Sequence, residues 1–171
     1  MEIRAYEPED FEGIAKVIAS TQVINCWPKV FPNGWSRERI EEEFAPVINR
    51  DYANSVFLVA EQNGELVGLI AGHDLVHFIE NEIPHLKEQL AQLLPSYYQR
   101  DIIITPEAQR GTLGLRLFKA LKERAKKLGY SRLITRTPLQ NKRGKRFFER
   151  LGYVEILQDN NPERIYFSKE I

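Results

Sequence analysis

Residues 105–121 read TPEAQRGTLGLRLFKAL. Two glycines and two arginines stand between an apolar run, Ile102-Ile103-Ile104, and an apolar helical stripe. A turn alone needs fewer special residues. A strand that enters a helix through a glycine-containing loop leaves the first N–H groups of that helix without intrahelical acceptors. Those donors, with the positive end of the helix dipole, attract an anion. Gly111 and Gly114 carry no Cβ, so a phosphate can approach the backbone closely. Arg110 and Arg116 add forked donors at the rim. The same residues also fit a plain turn flanked by solvated arginines. Two other phosphate motifs are excluded: no Lys followed by Ser or Thr stands at the P-loop offset from Gly111, and Gly111-Thr112-Leu113-Gly114 lacks GxGxxG spacing.

Downstream, Leu113, Leu117, Phe118, Leu121, Ala125 and Leu128 form the stripe of a helix that Gly129 stops in the C′ position. SRLITR (131–136) reads as a strand. Asn141 starts another helix, with Phe147, Phe148 and Leu151 inward and Gly152 at its end. YVEIL (153–157) and RIYFSKEI (164–171) make a hairpin around Asp159-Asn160-Asn161-Pro162.

Upstream, YYQRDIIIT (97–105) is a strand whose unbroken isoleucines predict burial on both faces. SVFLVAEQNGELVGLIAGH (55–73) is a hairpin turning at Asn63-Gly64. IRAY (3–6) is a short strand. Asp10 is expected to cap a helix bearing Phe11, Ile14, Val17 and Ile18, and Ser36 a second helix bearing Ile40 and Phe44. NCWPKVFPNGW (25–35) is a loop. IPHLKEQLAQLLP (83–95) predicts a helix with Ile83, Leu86, Leu90 and Leu93 on one face, in need of a cover: a lid's site or a second subunit of a homodimer. Asp74-Leu-Val-His77-Phe78 shows no strong helical stripe. These elements predict one α+β domain over 1–171, on a mostly antiparallel sheet with one strand–helix–strand crossover between 101 and 135.

Composition narrows the function classes. At 171 residues, 43% apolar and 28% charged, the chain supports one packed core and is not disordered. Twenty-four basic residues cancel twenty-four acidic ones, so no global field draws it to nucleic acid or membrane. The run Lys142-Arg143-Gly144-Lys145-Arg146 lacks the interleaved aromatics of a single-strand binder, and fits a ligand's phosphates or a solvated helix face. One cysteine, Cys26, excludes an internal disulfide. The acidic opening MEIRAYEPED is no signal peptide, and no apolar run approaches the roughly 20 residues of a membrane span. A cytoplasmic protein is expected. Three histidines, His73, His77 and His85, lie close in sequence, and the first two have the four-residue spacing of a metal pair on a helix, but Asp74-Leu-Val-His77-Phe78 lacks the stripe such a helix would show.

The span from Asp101 to Tyr153 resembles the acetyl-coenzyme A binding core of the GNAT acyltransferase superfamily. Gln109-Arg110-Gly111-Thr112-Leu113-Gly114 lies on the family signature Q/R-x-x-G-x-G/A, with Thr112 where a glycine is usual. Asn141 to Tyr153 is similar to the family's N-x-x-A-x-x-F-Y-x-x-x-G-F block. The opening strand and helix and the hairpin at 55–73 also match the family order. The resemblance implies a three-layer α/β/α fold with a V-shaped splay at the fourth strand. It implies acetyl transfer from acetyl-CoA to a primary amine of a small molecule or peptide, with no metal. The pantetheine arm would lie along Ile103, Ile104 and Thr105, and the diphosphate on Gln109, Arg110, Gly111, Thr112, Leu113 and Gly114. Asn141 and Phe148 would line the cofactor arm, with Phe148 standing where the family commonly has an acidic tyrosine. Asp101 is the candidate base. Trp27, Phe31, Trp35 and His73 are candidates for the acceptor wall. A coenzyme A-binding module that has lost its chemistry is the alternative.

Overall fold

The structure is a computed structural model that describes residues 1–22, 36–49, 52–160 and 163–171. Among them run β1 (Glu2–Ala5), α1 (Phe11–Gln22), α2 (Arg37–Ile48), β2 (Val56–Gln62), β3 (Glu65–Asp74), α3 (Leu75–Asn81), α4 (Lys87–Ala91), β4 (Tyr97–Ile104), α5 (Leu113–Lys127), β5 (Arg132–Pro138), α6 (Lys142–Arg150), β6 (Val154–Asn160) and β7 (Glu163–Glu170). The strands form one seven-stranded sheet in the order β1-β2-β3-β4-β5-β7-β6. Only β4 and β5 are parallel, joined by the α5 crossover.

Local chemistry sets most boundaries. Asn63 and Gly64 take positive φ, 55° and 79°, as a tight hairpin requires. Gly129 and Gly152, at φ 93° and 81°, end α5 and α6. Ser36 Oγ accepts from Arg39 N–H at 3.2 Å and starts α2. The chain enters α1 differently from the expectation. Glu7 caps a short 3-10 turn at Pro8–Asp10, and Asp10 Oδ2 accepts the Glu7 N–H while pairing with Arg4. Asp10 thus closes the turn before the helix.

The sheet carries helices on both faces, in three layers. On one face, α5 and α6 bury Leu117, Phe118, Leu121 and Phe148 against Tyr97, Leu133 and Phe167. On the other, α1 and α2 cover β2 to β4 through Ile14, Ile18, Phe44, Leu69 and Ile103. The remaining half of that second face belongs to residues 75–95. Leu75, Phe78, Ile83, Leu86 and Leu90 pack on Tyr98, Ile134 and Tyr166 of β4, β5 and β7. The apolar stripe of 83–95 is therefore covered by its own chain. Two details differ from the sequence expectation. Leu75–Asn81 is a helix, because Asp74 Oδ1 caps the Val76 N–H and Leu75, Phe78 and Ile79 bury at i, i+3 and i+4. The helical part of 83–95 is only Pro84–Leu86 and Lys87–Ala91. No helix among the described residues is long and apolar enough to cross a membrane.

A bulge shapes the middle of the sheet. Ala71 faces Asp101, yet Gly72 faces Gln99, so Arg100 is an extra residue on β4. A bulge places two consecutive side chains on one face and sharpens the local twist. Tyr97 accordingly packs on the α5 face and Tyr98 opposite, but beyond Arg100 the order is reset and Ile103 lies on the α1 face. Pairing of β4 with β5 is confined to Tyr97–Leu133, Tyr98–Ile134 and Gln99–Thr135. Beyond Gln99 the two strands diverge, as the V-shaped splay requires.

Candidate active site

The divergence opens a groove of about 830 Å³, lined by Arg100–Ile104 on β4, Thr135–Pro138 on β5, the Gln109–Gly111 turn, the start of α5 and one side of α6. Strand geometry determines which backbone groups of β4 face it. Thr105 N–H donates to Val67 O at 3.0 Å, so Thr105 is turned toward β3. Backbone groups alternate along an antiparallel strand. Ile104 and Ile102 therefore turn outward, and Ile103 inward. The backbone of Thr105 is engaged within the protein: its N–H serves β3, and its carbonyl accepts from Ala108 and Gln109. Ile103 gives the groove side chain rather than backbone, and the outward place belongs to Ile102, which alternation counted from the sequence would have offered.

The turn at the groove's end is built from the signature residues. Gln109 Nε2 donates to Ile104 O at 2.7 Å and ties the loop to the strand end. The first helical bond of α5 runs from Arg116 N–H to Thr112 O at 3.0 Å. The N–H groups of Leu113, Gly114 and Leu115 precede it and have no helical acceptor. The Thr112 hydroxyl caps none of them, and the first turn holds no acidic side chain.

The two glycines have different grounds. A Cβ on Gly114 would stand 3.0 Å from the Phe147 ring and 3.3 Å from Ile104 Cδ1, so this glycine is needed for packing between α5, α6 and β4. A Cβ on Gly111 would meet only Ala108 O, at 3.7 Å, and its φ of −94° suits any residue. Nothing among the described residues demands a glycine at 111. Arg116 reaches Met1 O at 3.2 Å, away from the groove, whereas Arg110 lines it.

On α6, Asn141 is committed to the helix start. Its Oδ1 accepts the Gly144 N–H at 2.9 Å, and its Nδ2 donates to Thr137 Oγ1 at 2.9 Å. Gly144 is obligatory beneath it, since a Cβ there would lie 2.5 Å from Asn141 Nδ2. Phe148 is buried between Tyr153 and Phe167 and shows one edge to the groove. Tyr153 does not supply a proton in its place. Its hydroxyl donates to Gln99 Oε1 at 2.9 Å, and burial pushes the phenol far above its ordinary range.

Among the described residues, seven basic side chains line the groove against one carboxylate, Asp101. Arg110, Lys142, Arg143, Arg146 and Arg150 gather toward α6 and the turn. Of these the candidate set held only Arg110, although the i, i+4, i+8 spacing of Lys142, Arg146 and Arg150 marks one helix face. Arg100 and Arg136 stand on the two diverging strands. Burial raises the Asp101 carboxyl above its usual range, the Arg100 guanidinium 3.6 Å away opposes that, and Glu43 adds to the rise. Asp101 remains a quarter exposed, as an exchangeable proton acceptor must be.

His73, the fourth acceptor-wall candidate, does not line the groove. It is fully buried on β3, with Nδ1 2.8 Å from Asp74 O and its ring against Tyr52 and Tyr98. Burial lowers its pKa to about 4. His77 stacks on the same Tyr52, whereas His85 bonds Asp159 at 2.8 Å, so the three do not converge. Among the described residues no group of three or more His, Cys, Asp or Glu is placed to hold a metal. Trp27, Phe31 and Trp35 lie outside the described residues.

Solved structures share this architecture. An acetyltransferase from Streptococcus agalactiae superposes with a TM-score of 0.72 at 20% identity, covering 99% of this chain and 98% of the other. The PaiA N-acetyltransferase from Thermoplasma acidophilum, solved in complex with coenzyme A, gives 0.71 at 17% identity, with 99% and 98% covered. The ribosomal-protein-S18-alanine N-acetyltransferase from Escherichia coli gives 0.67 at 16%, with 99% and 93% covered. These likenesses establish the fold. No curated protein matches the sequence significantly. The model of the acetyltransferase (GNAT) family matches residues 21–153, most of the chain and both halves of the groove. With that match the splayed strand, the signature turn and the Asn141 helix have one explanation: the chain belongs to the GNAT acetyltransferase family.

Proposed function

We propose that this protein is an N-acetyltransferase that moves an acetyl group from acetyl-CoA to a primary amine of a small molecule or peptide. The observation that carries the reading is the V between β4 and β5, with unbonded helix-start amides at one end and Asp101 at the other. The residues present fit coenzyme A. Gly111 leaves space that no neighbour uses, the Leu113–Leu115 amides and Arg110 suit a diphosphate, and the α6 cations suit a further phosphate. Coenzyme A supplies the thioester; the rest of the chemistry is the chain's. The outward backbone N–H groups of Ile102 and Ile104 donate along the arm and polarise the acyl oxygen. Asp101 takes the proton from the incoming ammonium, which frees the nitrogen lone pair to attack. The new C–N bond forms as the C–S bond breaks, the thiolate leaves with the electron pair, and the second proton on the nitrogen passes to that thiolate through water, giving the neutral amide and the free thiol. A thiol of ordinary pKa near 8.5 leaves tolerably as thiolate in water, so Phe148 slows the step without forbidding it.

Phe148 also favours a second reading, a coenzyme-binding module without turnover. The two separate in one experiment. Acetyl-CoA binding is measured by calorimetry and thiol release is followed with an amine panel, for the wild type and Asp101→Asn. The transferase reading expects amine-dependent release that Asp101→Asn lowers by 10²-fold or more at unchanged coenzyme affinity. Tight binding without release above background establishes the module instead.

A further inference from the structure

The two arginines on the diverging strands are already engaged. Arg100 NH2 lies 2.9 Å from Glu43 Oε2, a second donor of the same guanidinium bonds the Glu43 carbonyl, and the Phe44 ring lies 5.3 Å behind it. Arg136 NH2 lies 2.9 Å from Glu82 Oε2 and sits 4.6 Å over the Phe78 ring. Glu43 comes from α2 and Glu82 from the residue that ends α3. Two separate elements therefore each bring one glutamate to close one arginine. An open guanidinium in a groove is a bidentate site for a carboxylate ligand. A guanidinium held by its own glutamate and backed by an aromatic face is not. The local charge points the same way. Glu43, Glu82 and Asp101 outnumber Arg100 and Arg136 by one negative charge. Burial raises the Glu82 carboxyl, and the Arg136 and Arg100 guanidinium groups oppose that rise.

We propose that Glu43 and Glu82 determine acceptor specificity: by closing Arg100 and Arg136 they reject amines bearing a carboxylate beside the amino group. They admit amines in which that carboxylate is absent or blocked as an amide. Such exclusion works by an unfavourable contact with the wrong ligand rather than an added contact with the right one. The assignment rests on the amine-acetylation reading above.

The test uses matched acceptors: glycine against glycinamide, phenylalanine against phenylalaninamide, and lysine against lysinamide, at equal concentrations of free amine. Thiol release is measured at saturating acetyl-CoA for the wild type, Glu43→Gln and Glu82→Gln. The expected wild-type result is a kcat/KM at least tenfold higher for the amide of a pair. Each glutamine variant removes the carboxylate that neutralises one arginine, and the amide-to-acid ratio should fall at least threefold through a gain on the free acid. A gain of this kind cannot come from misfolding. Equal or better use of the free acids by the wild type overturns the proposal, as does a ratio that neither substitution moves. Absence of turnover for every pair, in protein that binds acetyl-CoA, also overturns it. Absence of acetyl-CoA binding overturns the reading of the groove itself.

Discussion

Replacing Gly111 and Gly114 in parallel separates a glycine kept for a ligand from one kept for the fold. In Gly114→Ala the new methyl would stand 3.0 Å and 3.2 Å from Phe147 ring atoms and 3.3 Å from Ile104 Cδ1. Overpacking of this kind costs about 1–3 kcal/mol. The better helix propensity of alanine returns at most about 1 kcal/mol. With that offset taken in full the loss is about 0–2 kcal/mol, or up to roughly 8 °C in Tm for a chain of this size. In Gly111→Glu the Cβ meets only Ala108 O at 3.7 Å, so stability should stay within about 0.5 kcal/mol of wild type. A carboxylate about 4 Å from a bound diphosphate costs about 1–4 kcal/mol at effective dielectrics of 80 to 20. Coenzyme A affinity should therefore fall by about tenfold or more. Urea denaturation and calorimetry check both halves. Undiminished coenzyme A affinity in folded Gly111→Glu would refute the assignment of the turn as the diphosphate site.

Three further outcomes follow from particular residues. His73 titrates near 4 when folded against 6.5 for the free side chain, because burial disfavours its charged form. Its contribution is complete above pH 6.5 and is lost as pH falls toward 4, where the unfolded chain binds the extra proton. The slope should be up to about 1.4 kcal/mol per pH unit and the total about 3 kcal/mol. His73→Phe should flatten urea-derived stability across that window, and an unchanged slope contradicts the assignment. Phe148→Tyr places a hydroxyl at the groove edge and should raise kcat at least tenfold in stopped-flow thiol release; a folded variant with wild-type kcat argues against any call for a proton donor there. Alanine at Lys142, Arg146 or Arg150 should weaken coenzyme A binding a few-fold each at low salt, and by less as added salt screens the contact.

Most of the fold was legible because its punctuation is chemical. Asn63-Gly64, Gly129 and Gly152 need positive φ, Ser36 and Asn141 cap helices, and the period of α5 is regular. The helix at Leu75–Asn81 was missed because seven residues give barely two turns, and its signal is a cap and three buried side chains. The start of α1 moved because Glu7 and Asp10 share a reciprocal cap, of which only the second partner was expected to act. The turn at the groove's end was legible from the signature, yet the roles of its glycines were not, because the neighbour of Gly114 is Phe147 of another helix. The change of face between Tyr98 and Ile103 depends on a bulge at Arg100 that leaves no mark in the local pattern. The pairs Glu43–Arg100 and Glu82–Arg136 span 57 and 54 positions, beyond the reach of periodicity.

The three rungs between β4 and β5 carry a mechanical implication. Two half-sheets joined so briefly behave as leaves on a short spine, and their opening angle is governed by whatever is wedged across the joint. On one side that wedge is the 75–95 segment, whose Phe78 ring lies 3.7 Å from the Tyr98 ring and whose neighbours reach Ile134 and Tyr166 on the opposite leaf. Trimming it would widen or slacken the jaws from behind.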